Sequence, residues 1–233
     1  MTVPAKTWIA NLPKGRLIAE FSVWSADLVR LADDLARVDP HVDVLHIDVA
    51  DGHFAPAMLF FPDLVAGVRK VSKRPIHVHL MVADDILLSQ IEQFADAGSD
   101  LISLHVENES VADAALDLLD RRGVAAGMVL RVETPVERIR RYTARLQFIT
   151  LLGTAIGVKG QGLDERAGAR LQEAKAIIAA CGAAHRIVLA ADGGIREHTV
   201  PLLREAGAQT VVLGSLAFNA PSLEERMAWL HSL

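Results

Sequence analysis

A single (β/α)8 TIM barrel of parallel strands is the fold this sequence predicts, and three observations carry it. Eight short, β-branched apolar runs recur along the chain, amphipathic stretches separate them, and the runs are too apolar to leave one face in water. With 233 residues, 51% of them hydrophobic, the chain can bury a large core. Eight strand-helix units in that length fit a closed barrel better than an open sheet.

The runs are RLIAEFSVW from Arg16, VDVLHIDVA from Val42, PIHVHLMV from Pro75, LISLHVE from Leu101, AAGMVLRV from Ala125, FITLLGT from Phe148, RIVLAADGG from Arg186 and TVVLGS from Thr210. Between them, ADLVRLADDLARV, DDILLSQIEQFADAG, SVADAALDLLDRRG, TPVERIRRYTARL and DERAGARLQEAKAIIAACG place apolar residues at i, i+3, i+4 and i+7, the period of a helix with one buried face. Gly98, Gly123, Gly182 and Gly207 follow such stretches, as glycine does at helix C-termini. No linker rich in Pro, Gly or Ser divides the chain, so 1–233 reads as one barrel domain. Residues 1–15 read as an arm before the first strand, packed against the barrel bottom or a neighbouring subunit.

Composition excludes several classes of partner. The net charge is −5 and the cations are scattered among acids, so there is no basic stripe to track a phosphate backbone, and no nucleic acid is expected. The single cysteine, Cys181, has no intramolecular disulfide partner and no metal pattern around it, which suits a reducing compartment. No apolar run approaches the ~20 residues that span a bilayer, so no membrane association and a cytoplasmic location are expected.

In such a barrel the active site lies at the C-terminal ends of the strands, so polar residues there are the informative ones. Side chains at i and i+2 share a face, which points His46 and Asp48 the same way on the second run, and His77 and His79 on the third. His105 and Glu107 repeat the spacing on the fourth, and Asp192 ends the seventh. If His46, Asp48, His79 and Asp192 converge, they form a site of two imidazoles and two carboxylates for one divalent metal ion, with zinc, iron, manganese and cobalt all open. Each alone could be a hydrogen-bonded core residue; four at the ends of separate apolar strands are harder to explain so, because unpaired buried charge is costly.

Glycine forms the second constellation. Gly157, Gly160 and Gly162 follow the sixth run, Gly193 and Gly194 the seventh, and Gly214 with Ser215 closes the eighth. Loops in those places let backbone N–H groups approach a phosphate closely.

The order and spacing of SVWSADLVRL, HIDVADGHFAP, HVHLMV, LHVE, ADGGI and AGAQTVVLGSLAF, from Ser22 to Phe218, resemble the ribulose-phosphate 3-epimerase family of ketose-phosphate epimerases. The resemblance implies a (β/α)8 barrel isomerase that inverts C3 of a phosphorylated ketose with the help of a metal. It places His46, Asp48, His79 and Asp192 on the family's metal ligands, and Asp48 and Asp192 also on its two proton-transfer carboxylates. Ser22, His79 and Met81 match positions near the substrate; Gly193, Gly194, Gly214 and Ser215 match phosphate-binding turns, joined by Gly157, Lys159 and Gly160 after the sixth strand. Asp51, Gly52 and His53 fall in the DGHF segment and read as a loop-shaping turn. Inverting a carbon beside a carbonyl needs a proton removed from one face and returned to the other, hence two flanking groups. A divalent ion on the C2 and C3 oxygens would stabilise the enediolate.

The chain departs from the family at several points. Ala50 stands where the family has methionine before DGHF, and Leu152 where it has methionine after strand six, which implies a roomier site and a tetrulose, pentulose or hexulose phosphate other than ribulose 5-phosphate. NPGFGGQ becomes Ala155 to Gln161, gaining Lys159, which reads equally as a phosphate contact or a solvated loop residue. Arg131 is an added cation, open to pairing with Glu133 or Glu107 or to binding a substrate anion. The segment Ala55 to Pro62 becomes more apolar, as a subunit contact or substrate lid would, and a homo-oligomer is expected on that ground. Two alternatives compete: a phosphate-sugar lyase or decarboxylase of the related barrels, opposed by the absence of lysine from the second and third runs, and a non-catalytic sugar-phosphate sensor, which need not keep both carboxylates.

Overall fold

In the computed structural model, which describes residues 6–233, the eight runs form parallel strands: β1 (Ile18–Ser22), β2 (Val44–Ala50), β3 (Ile76–Met81), β4 (Leu101–His105), β5 (Ala125–Leu130), β6 (Phe148–Leu152), β7 (Val188–Asp192) and β8 (Thr210–Leu213). They pair in sequence order, and β8 closes the barrel on β1 through a register running from Ile18↔Thr210 to Phe21↔Leu213.

The two-residue period of a strand divides every run between two environments. Leu17, Ala19 and Phe21, Leu45, Ile47 and Val49, and Val78 and Leu80 face outward into the layer of helices. The alternate residues face the barrel interior, and their character changes with height. At the bottom Ile18, Val44, Leu101, Ala125, Phe148 and Val188 form an apolar plug. Above it lie Glu20, His46, His77, Ser103 and Thr210, all without solvent exposure. Ser22, Asp48, His79, His105 and Asp192 stand at the open end. Gly127 makes this stacking fit, because a Cβ there would collide with Ser103 Oγ and approach Phe148 Cβ to 3.3 Å.

The outer layer consists of α1 (Leu31–Val38), α2 (Pro62–Val71), α3 (Asp84–Asp96), α4 (Ala112–Arg122), α5 (Ala167–Ala180), α6 (Val200–Glu205), α7 (Ser215–Phe218) and α8 (Leu223–His231). Four of these differ from the periodicity reading. The helix expected from Ala26 starts at Leu31, and α2, α7 and α8 were not anticipated. For α8 a signal was available: Ser222 caps it by accepting from the Glu225 N–H at 3.2 Å, the S-x-x-E pattern of a helix start. The segment TPVERIRRYTARL coils as a 3-10 helix over Val136–Tyr142 instead of an α-helix. Its buried residues are Val136, Ile139 and Tyr142, a spacing of three that suits three residues per turn.

Of the arm expected at 1–15, residues 1–5 lie outside the described residues. The remainder turns through a 3-10 helix, Lys6–Asn11, and lays Trp8 and Ile9 on the bottom plug, with the Trp8 ring 6.2 Å from that of Phe148. Among the described residues no helix is long and apolar enough to cross a membrane.

Candidate active site

β2 delivers His46 and Asp48, β3 His79 and β7 Asp192 to one point at the open end of the barrel, where one ligand-capable atom from each lies within 4.8 Å of the others. Asp48 Oδ1 is the hub: His46 Nε2 is 3.2 Å from it and His79 Nδ1 3.3 Å. His79 Nδ1 is also 3.9 Å from Asp192 Oδ2. Ser22 Oγ donates to the other Asp48 oxygen at 2.8 Å, fixing the plane of that carboxylate.

The outer hydrogen bonds of the two imidazoles determine what their inner nitrogens offer. Glu20 Oε1 accepts from His46 Nδ1 at 2.7 Å, so the proton of a neutral His46 lies on Nδ1 and its Nε2 lone pair faces Asp48. On the other side Glu107 Oε2 accepts from His105 Nδ1 at 2.9 Å, which leaves His105 Nε2 to accept from His79 Nε2 at 2.8 Å. The lone pair of His79 Nδ1 then also faces Asp48 and Asp192. Two imidazole lone pairs and two carboxylates meet with no donor among them except Ser22, an arrangement that a divalent cation satisfies.

The charge states follow from the same contacts. Burial opposes ionising His46, but Asp48 and Glu20 on either side outweigh it and hold its pKa well above the ordinary range. Burial would raise Asp48 as well, yet His46 and His79 hold it well below the usual carboxylate range. Among the described residues no imidazole comes within hydrogen-bond distance of the Asp192 carboxylate, and burial pushes it up to about 6, with His46 opposing and Asp48 adding to the rise. Burial brings His105 down to about 4 despite Glu107, so it stays neutral as the relay requires. Glu107 is brought down to about 2: burial opposes this, and His105 and the Thr134 hydroxyl outweigh it.

Above the cluster opens a cavity of about 380 Å³. Asp48 and Asp192 form its floor, and every substrate-side residue anticipated from sequence lines it: Ser22, His79 and Met81 from the strands, Gly157, Lys159 and Gly160 after β6, Gly193 and Gly194 after β7, and Gly214 and Ser215 after β8. His46 does not reach it, being wholly buried behind Asp48. The turn after Asp192 admits only glycine. Gly193 has φ +85° and Gly194 φ +69°, and a Cβ on Gly194 would sit 2.8 Å from Leu163 Cα.

Four readings from sequence are sharpened or corrected. Lys159 is at the cavity, with Nζ donating to the Trp24 carbonyl at 2.5 Å and lying 4.5 Å from the centre of the Trp24 ring. Arg131 is not a cation of the mouth: it stacks 4.2 Å over Phe54 and donates to the Phe54 carbonyl, pinning the loop after β2, while only its backbone N–H meets Glu107. Ala50 is absent from the cavity wall and packs with Ala55 and Met81 beneath Ile156, whereas Leu152 does line it. Asp51 organises its turn as expected, accepting from the backbone of His53, Phe54 and Ala83. The sequence reading passed over Glu20, although a lone carboxylate in an otherwise apolar run was signal enough, and it passed over Trp24, Arg196 and Asn219, which also line the cavity.

Comparison with known proteins gives one consistent family. The family model described as "Ribulose-phosphate 3 epimerase family" matches residues 18–218. The ribulose-phosphate 3-epimerase of Bacillus subtilis (strain 168) is 34% identical over 199 residues, covering 85% of this chain and 90% of that protein. That of Synechocystis sp. (strain ATCC 27184 / PCC 6803 / Kazusa) is 31% identical over 210 residues, 89% of this chain and 90% of its own. Among solved structures, orotidine 5'-phosphate decarboxylase from Pyrococcus horikoshii OT3 superposes with a TM-score of 0.64 at 12% identity, over 91% of this chain and 97% of that one. A 3-hexulose-6-phosphate synthase gives 0.62 at 17%, over 93% and 96%. At such identities these two structures show the fold alone.

Proposed function

Because the chain belongs to the ribulose-phosphate 3-epimerase family, we propose that it inverts C3 of a ketose phosphate in the cavity above His46, Asp48, His79 and Asp192. The observation that carries this reading is the pair of carboxylates on well-separated strands, β2 and β7, that meet on one cavity floor, where the surroundings lower the pKa of Asp48 and raise that of Asp192. Two carboxylates with divergent pKa values are what a base and an acid on opposite faces of a substrate require. Asp48, kept ionised by two imidazoles and oriented by Ser22, takes the C3 proton of one epimer. Asp192, with its raised pKa, returns a proton to the other face, and the roles exchange for the reverse reaction. A planar intermediate between them stays enclosed by Met81, Leu152 and Ile156, which limit access of water.

His46, His79, Asp48 and Asp192 would hold one divalent ion, and zinc, iron, manganese or cobalt suits that donor set. When bound, it would draw charge from the C2 and C3 oxygens and make the C3 proton easier to remove.

The phosphate end of the substrate fits the other half of the cavity, which Gly193, Gly194, Gly214 and Lys159 line. Leu152 in place of a longer, more flexible methionine favours a tetrulose, pentulose or hexulose phosphate other than ribulose 5-phosphate. The same reading includes a homo-oligomer, since Met58 and Phe61 in the loop after β2 are 84% and 58% exposed.

The experiment is to load the protein with Mn²⁺, Fe²⁺, Co²⁺ or Zn²⁺ and follow deuterium from solvent into C3 across a ketose-phosphate panel. Incorporation with at least one sugar is expected, and none with any sugar would contradict the proposal.

A further inference from the structure

Beneath the cluster lies a second ionisable group of residues that touches neither cavity nor solvent. Glu20, His46 and His77 are each fully buried. Glu20 Oε1 accepts from both His46 Nδ1, at 2.7 Å, and His77 Nδ1. His77 is itself held by Ser103, whose Oγ is 2.6 Å from His77 Nε2, and Ser103 occupies the space that Gly127 leaves by lacking a side chain. Thr210 Oγ1 approaches the other carboxylate oxygen at 3.4 Å. The chain of contacts therefore runs across four strands, from Ser103 on β4 through His77 on β3 and Glu20 on β1 to His46 on β2.

A carboxylate buried this completely is retained only where its hydrogen bonds are satisfied, and it is an expensive way to fill a core. An apolar side chain would serve packing better. What the carboxylate does that an apolar side chain cannot is assign the proton of His46 to Nδ1. A carboxylate accepts only, so Nε2 is left as the lone pair that faces Asp48.

We propose that Glu20 is a positioning residue for His46: anchored by His77 and Ser103, it fixes the tautomer and ring orientation that aim His46 Nε2 at the divalent-cation site, and it strengthens that nitrogen as a donor. This rests on the metal-holding role assigned to His46 above. The three groups are not themselves a second cation site. Direct hydrogen bonds already join Glu20 to both imidazoles, and an ion between them would have to push those bonds apart in a closely packed interior.

The test measures cation binding without any sugar, so that it is independent of whether the enzyme's substrate has been found. Co²⁺ affinity is measured by competition with a chromophoric chelator for the parent protein, Glu20→Gln and a Thr150→Val control, whose hydroxyl is buried on β6 without a hydrogen-bond partner among the described residues, alongside the visible absorption of the bound Co²⁺. Glu20→Gln keeps size and loses charge. It is expected to raise the Co²⁺ Kd roughly 10- to 100-fold, the usual consequence of removing a carboxylate behind a ligating histidine, and to alter the absorption bands, while Thr150→Val leaves both unchanged. One ion per chain is expected in all three. Unchanged affinity and spectrum in Glu20→Gln would overturn the proposal, as would two ions per chain falling to one. If Glu20→Gln does not fold, Glu20→Asp, which keeps the charge but draws it back by one methylene, is expected to weaken Co²⁺ binding at least tenfold, and parent-like binding would overturn the proposal equally. Parent-like Co²⁺ binding by His46→Gln would instead refute the underlying assignment of His46.

Discussion

β1 to β4 turn Glu20, His46, Asp48, His77, His79, Ser103 and His105 into the barrel, whereas β5 to β8 turn Ala125, Gly127, Val129, Leu152, Ala190 and Val212, with Thr150, Thr210 and Asp192 the polar exceptions. The two walls treat the same side chain differently. Asp48 lies among imidazoles and is held ionised; Asp192 lies on the apolar wall and rises to about 6. On the proposed reading the first wall would supply three of the four metal ligands and one proton-transfer carboxylate, each buried charge within reach of a partner on the next strand. The second would supply the fourth ligand and the other carboxylate, Asp192, with space and the glycine turns proposed to let a phosphate approach the backbone. A barrel is well suited to this division, because neighbouring strands hold their inward side chains at fixed separations while the loops above vary freely.

Breaking either wall at its carboxylate has the largest expected effect. Asp48→Asn and Asp192→Asn are each expected to lower epimerisation by roughly 10²–10⁴-fold, the usual worth of a general acid or base, measured on the sugar that shows exchange. Next in size is Gly127→Ala, which sharpens the contrast because its added methyl stands on the apolar wall and acts on the other through Ser103. Its Cβ would displace Ser103 Oγ and press on Phe148, a case of overpacking worth about 1–3 kcal/mol. A matching fall in urea-unfolding stability is expected, together with weaker cation binding as Ser103 releases His77.

The third effect is one of pH. Folded Asp192 titrates near 6 against 3.8 for the unconstrained group, so the folded state favours its protonated form. The stability this contributes is fully present below pH 3.8 and is lost as pH rises through about 6. Asparagine stays neutral and keeps it. In the metal-free protein Asp192→Asn should therefore be more stable than the parent by about 1–2 kcal/mol above pH 7 and equal to it near pH 3, by chemical denaturation. The value is discounted from the full shift, at about 1.4 kcal/mol per pH unit, because the side chain is 18% exposed. Smallest is Lys159→Gln. It removes an exposed cation that rests on Trp24, and is expected to raise KM about fivefold, a difference of about 1 kcal/mol, with little change in kcat.

Strand positions and the four converging residues were legible because each shows itself within a few residues of sequence. An apolar run marks a strand, and a polar residue at its end marks the mouth. The i, i+2 pair His46 and Asp48 could be assigned to one face without knowing the fold. What could not be read depends on neighbours remote in sequence. Glu20 looks like one acid in a hydrophobic run until β1 is placed beside β2 and its carboxylate meets His46. His105 and Glu107 were visible as a repeated spacing, but their link to His79 needs the β3–β4 register. Arg131 could be noticed as an unusual cation, yet only the fold reveals that Phe54 captures it. Ala50 seemed to enlarge the site, but the loop after β2 folds back and fills the space with Ala55.

The most direct measurement of the two-carboxylate account is deuterium wash-in at C3, followed separately for each epimer with the single variants. With Asp192→Asn, Asp48 can still remove and return a proton on its own face, so one epimer should take up deuterium without inverting. With Asp48→Asn the other epimer should do so. Inversion surviving in either variant, or the same epimer exchanging in both, would contradict the assignment of the two walls.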